Sequence, residues 1–144
     1  MANIIPFSFR GALFSAQHDL ATGGNTFNIS LYVTNPYSTA STVYDATGEV
    51  STGGSSNYSV KTLANQAVAS TTAVASVDFD NVTWSSATFT SSFAAIYNNS
   101  TVDGTQNRLV VVLDFGGAKT ATNGDFTIAF PDAATPANAI ISMS

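Results

Sequence analysis

Residues 27–34, Phe27-Asn28-Ile29-Ser30-Leu31-Tyr32-Val33-Thr34, decide the fold. Phe27, Ile29, Leu31 and Val33 alternate with Asn28, Ser30, Tyr32 and Thr34, the period of a β-strand with one buried face. Asn35-Pro36 stops it. A second stretch, Leu109-Val110-Val111-Val112-Leu113, is continuously apolar and mostly β-branched, which predicts a central strand covered on both faces. Gly116-Gly117 is expected to break that strand, and Asn123-Gly124 to end the loop that follows. Further strands are expected over residues 58–63, 93–97, 126–130 and 139–143. Residues 64–75 are ambiguous between helix and strand, and are taken as a hairpin-like pair ending in a strand over 73–79. Residues 82–84 and 87–89 read as short extended pieces. Thr52 to Ser56 and Asp103-Gly104 are turn signals. Short strands with turns at about 8–12-residue spacing predict a mainly β chain, a single-domain antiparallel β-sandwich, jelly-roll-like or Ig-like.

Before the first strand, Ser8 is placed to cap a short helix. Phe9, Ala12, Leu13 and Ala16 follow at helical spacing and Leu20 continues the stripe. Gly11 weakens that helix by about 1 kcal/mol, and the segment from His18-Asp19 to Gly23-Gly24 ends it. Residues 1–25 are thus read as an N-terminal arm or short helix, and residues 26–144 as the sandwich. No internal repeat or long linker divides the chain.

The 144 residues include no Cys, so disulfides, thiolate metal sites and a cysteine nucleophile are excluded. Charged residues make up 9% of the chain, four basic and nine acidic, for a net charge of −5. Arg10, Lys61, Arg108 and Lys119 cannot build the basic stripe that nucleic acid requires. No apolar run approaches the roughly 20 residues that span a bilayer. The first 16 residues lack a basic n-region and a continuous apolar stretch, so no signal peptide is expected. Polarity comes instead from 18 Ser, 19 Thr and 12 Asn. With 44% hydrophobic residues, including ten Phe and five Tyr, the chain is too apolar for disorder. It reads as a β-domain with hydroxyl side chains on its solvent faces.

Catalytic signals are weak. His18 is the single histidine, and the chain has no G-x-S-x-G elbow. A solvated turn histidine is the expectation. Asp78 and Asp80, followed by Asn81, are weak candidates for a metal or an acid–base pair. Six to eight oxygens are needed for calcium and this segment supplies three side chains at most, so acids capping a strand end are the alternative. Gly116-Gly117-Ala118-Lys119-Thr120 lacks phosphate-loop spacing. The sequons at Asn28, Asn57, Asn81, Asn98 and Asn99 carry no weight without a signal peptide. Tyr32, Tyr37, Tyr44, Tyr58, Trp84 and Tyr97 are candidates for a sugar-stacking platform, against the commoner role of aromatics in a core. No catalytic residues and no cofactor are expected. Ile4, Ile5, Phe7 and Phe9 are too apolar for a free terminus. Two readings stay open for them: a surface for docking on another protein, or closure of the sandwich core.

Three segments together resemble a widespread type of small β-folded virion protein of tailed bacteriophages. They are Phe27 to Tyr32 with Tyr44-Asp45-Ala46-Thr47-Gly48-Glu49-Val50; Val77 to Trp84 with Ala94-Ala95-Ile96-Tyr97-Asn98; and Arg108 to Thr120 with Gly124 to Pro131. The resemblance covers most of residues 8–142 and includes no catalytic motif. It implies a virion structural protein, most simply a capsid decoration (cement) protein. Such a protein would stabilise the assembled head lattice from its outer surface. The partners implied are the major capsid protein and further copies of the chain as a homotrimer, with no nucleic acid or membrane. Its place would be the virion after synthesis in the host cytoplasm. The alternative is a neck, tail or fibre component with a glycan-binding role.

Overall fold

In the computed structural model, which describes residues 2–71, 73–131, 135 and 139–143, the chain is mainly β with one short N-terminal helix. The elements are α1 (Phe7–Phe14), β1 (Phe27–Tyr32), β2 (Lys61–Thr62), β3 (Ala67–Ser70), β4 (Ala75–Asp78), β5 (Val82–Asn98), β6 (Arg108–Ile128) and β7 (Ile141–Met143). They form two antiparallel sheets, ordered β2-β1-β5-β6 and β3-β4-β7. Phe27, Ile29 and Leu31 of β1 share a core with Val77 of β4 and Ile141 of β7, so the sheets pack as a sandwich.

Two long strands replace several short ones. β5 joins the pieces expected at 82–84, 87–89 and 93–97, and β6 runs through Gly116-Gly117 and Asn123-Gly124. The pairing register between β5 and β6 slips between Trp84 and Ala87, between Ala87 and Phe89, between Ser91 and Phe93, and between Ile96 and Tyr97. Each slip is a bulge or irregularity, and those after Trp84 and after Ser91 change which parity of side chain faces inward. Val82 and Trp84, then Ala87 and Phe89, then Ala94 and Ile96 all reach the same core, although their parity alternates. Gly116 and Gly117, at φ 70° and 137°, absorb extra residues of β6 as a bulge rather than ending the strand.

The expected one-sided burial of β1 is also revised. Ser30 and Tyr32, on its second face, are as buried as Phe27, Ile29 and Leu31. That face carries a smaller core of Tyr32, Tyr37, Ala95, Leu109 and Val112, against which Ile4, Tyr44 and Phe93 pack. Leu109 to Leu113 is buried throughout, as expected, but β6 is an edge strand, not a central one. Its outer edge is covered instead by single bridges from Ile4 to Val112 and from Val43 to Arg108.

A hydroxyl network clamps residues 37–58 over the sheet. The Tyr32 and Tyr37 hydroxyls lie 2.7 Å apart, one donating to the other, and both oxygens sit within hydrogen-bond distance of the Asp45 carbonyl. The Glu49 carboxylate accepts from Tyr44 and, at 2.5 Å, from Tyr58. The Tyr58 hydroxyl in turn accepts the Leu31 N–H at 3.0 Å, continuing the β1 ladder beyond the short β2. Gly48 lies so close to β1 that a Cβ there would run into Thr34 Oγ1 and sit 2.7 Å from the Thr34 carbonyl oxygen. Burial first, then the hydrogen bond to Glu49, pushes the Tyr44 and Tyr58 pKa values upward, so both stay protonated donors.

Helix α1 starts after Pro6, and Ser8 is not its cap: the Ser8 hydroxyl donates to the Ser41 carbonyl across the loop. The helix ends at Phe14, short of the stop expected from His18-Asp19 onward. Ala16 takes a left-handed conformation (φ 54°), its N–H bonds the Leu13 carbonyl, and the Gln17 N–H bonds the Ala12 carbonyl. That is a Schellman cap built without glycine. Leu20, though off the helix, still reaches the core.

Candidate docking face

Phe9 and Ala12 of α1 are buried in the sandwich, Phe9 to 1% exposure. The opposite side of the helix is apolar as well. Phe7 and Phe14 are 61% and 93% exposed, and Arg10 stands between them, at the i, i+3, i+7 spacing of one helix face. A helix with apolar side chains all round is ordinarily covered all round. Beside it, Met143 of β7 is 58% exposed. Phe7, Arg10, Leu13, Phe14 and Met143 line a groove of about 470 Å³. A second groove of about 310 Å³ shares Leu13 and Met143 as walls and runs along β3, β4 and β7, where Val68 is also exposed. Four of the six large apolar side chains most exposed among the described residues, Phe7, Phe14, Val68 and Met143, line these two grooves. Concentration of this kind marks interaction surfaces, whereas scattered apolar residues do not.

The residues singled out from the sequence divide. Phe9 is a core residue. Ile4 is half-buried: its N–H and carbonyl exchange 2.8 Å bonds with Val112, and its side chain joins the Tyr32 cluster. Ile5 is half-buried against the main core. Of the four, Phe7 alone is largely exposed; Phe9, Ile4 and Ile5 take part in core packing, which leaves Phe7 as the one candidate for docking. Phe14, Val68 and Met143 were missed. The signal for Phe14 was available, because a helix that buries Phe9 and Ala12 turns position 14 outward.

The remaining candidates do not converge. His18 is 7% exposed, not solvated. Its ring lies 4.9 Å from that of Phe9, and Nδ1 is 3.0 Å from the Asn98 amide nitrogen. The same nitrogen donates to Asn25 Oδ1, while Asn98 Oδ1 accepts the Ser100 N–H. With the amide donating, the imidazole is neutral and accepts at Nδ1. Burial, and then the Arg108 guanidinium, lower its pKa to about 4. Asp78 closes β4 opposite Ala67, and Asp80 Oδ2 accepts from Asn65 Nδ2 at 2.6 Å. Among the described residues no three His, Asp or Glu side chains gather in a metal-binding group. Trp84, Tyr97, Tyr58, Tyr32 and Tyr37 are buried and Tyr44 half-buried, so these six are core residues and present no stacking platform. No helix among the described residues is long and apolar enough to cross a membrane.

Compared with protein-family models, with curated proteins and with solved structures, the chain matches none.

Proposed function

We propose that this chain is a structural component of a tailed-phage virion, one that works by docking on a larger assembly and makes or breaks no bond. The observation that carries the reading is the apolar outer face of α1, Phe7 and Phe14, on a helix whose inner face is locked into the core. The sequence resemblance supplies the assembly: a decoration protein seated on the outer surface of the head lattice, in contact with the major capsid protein. Burial of the α1 face drives association, and a partner present only in the assembled lattice is stabilised by mass action. Trimeric copies would multiply a modest contact through effective concentration. The sparse charge and hydroxyl-rich surface suit this work, because contacts made mostly by apolar burial change little with salt.

Quantitative mass spectrometry of purified virions tests the proposal. Hundreds of copies per particle are expected of a decoration protein. A handful would move the chain to the neck, tail or fibre. Absence from the particle would overturn the reading.

A further inference from the structure

Among the described residues, the outer face of α1 holds a single cation. The Arg10 guanidinium carbon lies 4.6 Å from the centroid of the Phe7 ring, so the aromatic face keeps the charge inside the apolar patch. Arg108 reaches Asp103 at 3.9 Å. Among the described residues Arg10 makes no ion pair, and none of those lining its groove with Phe14 and Met143 is acidic. The chain carries a net charge of −5, so this spot is opposite in sign to the rest of the molecule. Exposed Phe, Met and Arg together, without Lys, Asp or Glu, are the composition of an interface centre.

We propose that the occupant of this face is a protein segment presenting an apolar side chain flanked by a carboxylate, the carboxylate pairing with Arg10 while Phe7 and Phe14 are buried. The inference rests on the docking reading above and names the chemistry of its partner. Charge complementarity selects this occupant over two others. An anionic membrane is recognised by clusters of basic residues, and this face has one, on a chain whose net charge is repelled by such a surface. A second copy packed two-fold through the same face would bring two guanidinium groups into one interface, and the lining described for the groove offers no carboxylate to pair either of them. A guanidinium fits a carboxylate with two parallel hydrogen bonds, which fixes orientation as well as adding attraction.

The test uses purified full-length chain and particles assembled without it. p-Benzoylphenylalanine at position 14 is cross-linked to the particle, and the captured peptide is identified by mass spectrometry. Binding of wild type, Arg10→Glu and Phe14→Ser is then titrated, with thermal unfolding as the folding control. Arg10→Glu should bind at least about 30-fold more weakly. Replacing the acidic residue of the captured segment with Lys should restore it. If Phe14→Ser fails to bind while Arg10→Glu binds as wild type, the carboxylate partner is refuted and the docking face stands. If both variants bind as wild type, the docking reading itself is wrong. Phosphatidylserine vesicles and sedimentation equilibrium complete the set. Binding to the vesicles but not to particles, or self-association abolished by Phe14→Ser, would assign the face to a membrane or a second copy and overturn the proposal.

Discussion

Acid should unlatch α1 from the sheet through His18. The imidazole is wedged between Phe9 and the end of β5, where Asn98 presents an N–H to Nδ1. A protonated ring would set donor against donor. Flipping the Asn98 amide to accept would lose its bonds with Asn25 Oδ1 and the Ser100 N–H. Asn25 Oδ1 is itself held by the Asp19 N–H. The charged groups nearby reinforce the effect: Arg108 repels the imidazolium, and Asp103 is engaged by Arg108 and Gln17. With the folded pKa lowered from 6.5 to about 4, only the unfolded chain takes up the proton between those values. Stability is therefore full above pH 6.5 and falls as pH drops toward 4, by about 3 kcal/mol in all. Urea unfolding at half-unit pH steps measures this, and His18→Gln, which keeps an acceptor for Asn98, should flatten that interval. Two results would refute the reasoning: a His18 pKa near 6.5 in the folded protein by NMR, or the same slope in the variant.

Two further predictions concern the frame that presents the candidate docking face. Tyr58→Phe strips the Leu31 N–H of its acceptor and Glu49 of a donor, and should cost about 2 kcal/mol in denaturant titration; an unchanged midpoint would mean that water replaces the hydroxyl. Ala16→Gly should stabilise the protein by about 1 kcal/mol despite glycine's usual cost, because position 16 is left-handed; a loss of stability would show that the Schellman cap is not as described.

The sequence made the class of fold legible because Phe27, Ile29 and Leu31 keep strict alternation where the ladder is regular. It failed at β5 and β6 because alternation is a local signal and two of the irregularities reverse its phase. Trp84 and Ala87, or Ser91 and Phe93, read as breaks although the hydrogen-bonded strand continues through them. The uninterrupted apolar run at Leu109 to Leu113 showed burial on two sides but not position in the sheet, since Ile4 and Val43 can cover an edge as well as a neighbouring strand would. His18 looked solvated because its neighbours in sequence are polar; Phe9, across the turn that ends α1, and Asn98, 80 residues on, lie beyond that local window. The candidate docking face was half legible. The apolar excess in residues 4–9 is plain in the sequence, but its division between core and surface depends on the phase of α1, and Met143 joins the face only through the second sheet.

The most direct measurement of the central claim is a titration of particles assembled without the chain, comparing wild type with Phe14→Ser. Phe14 is 93% exposed, so its loss should leave the melting temperature of the free protein unchanged. Its burial on docking is worth about 2 kcal/mol, a loss of at least tenfold in affinity. Equal saturation of the particles by both proteins at the same concentration would contradict the account.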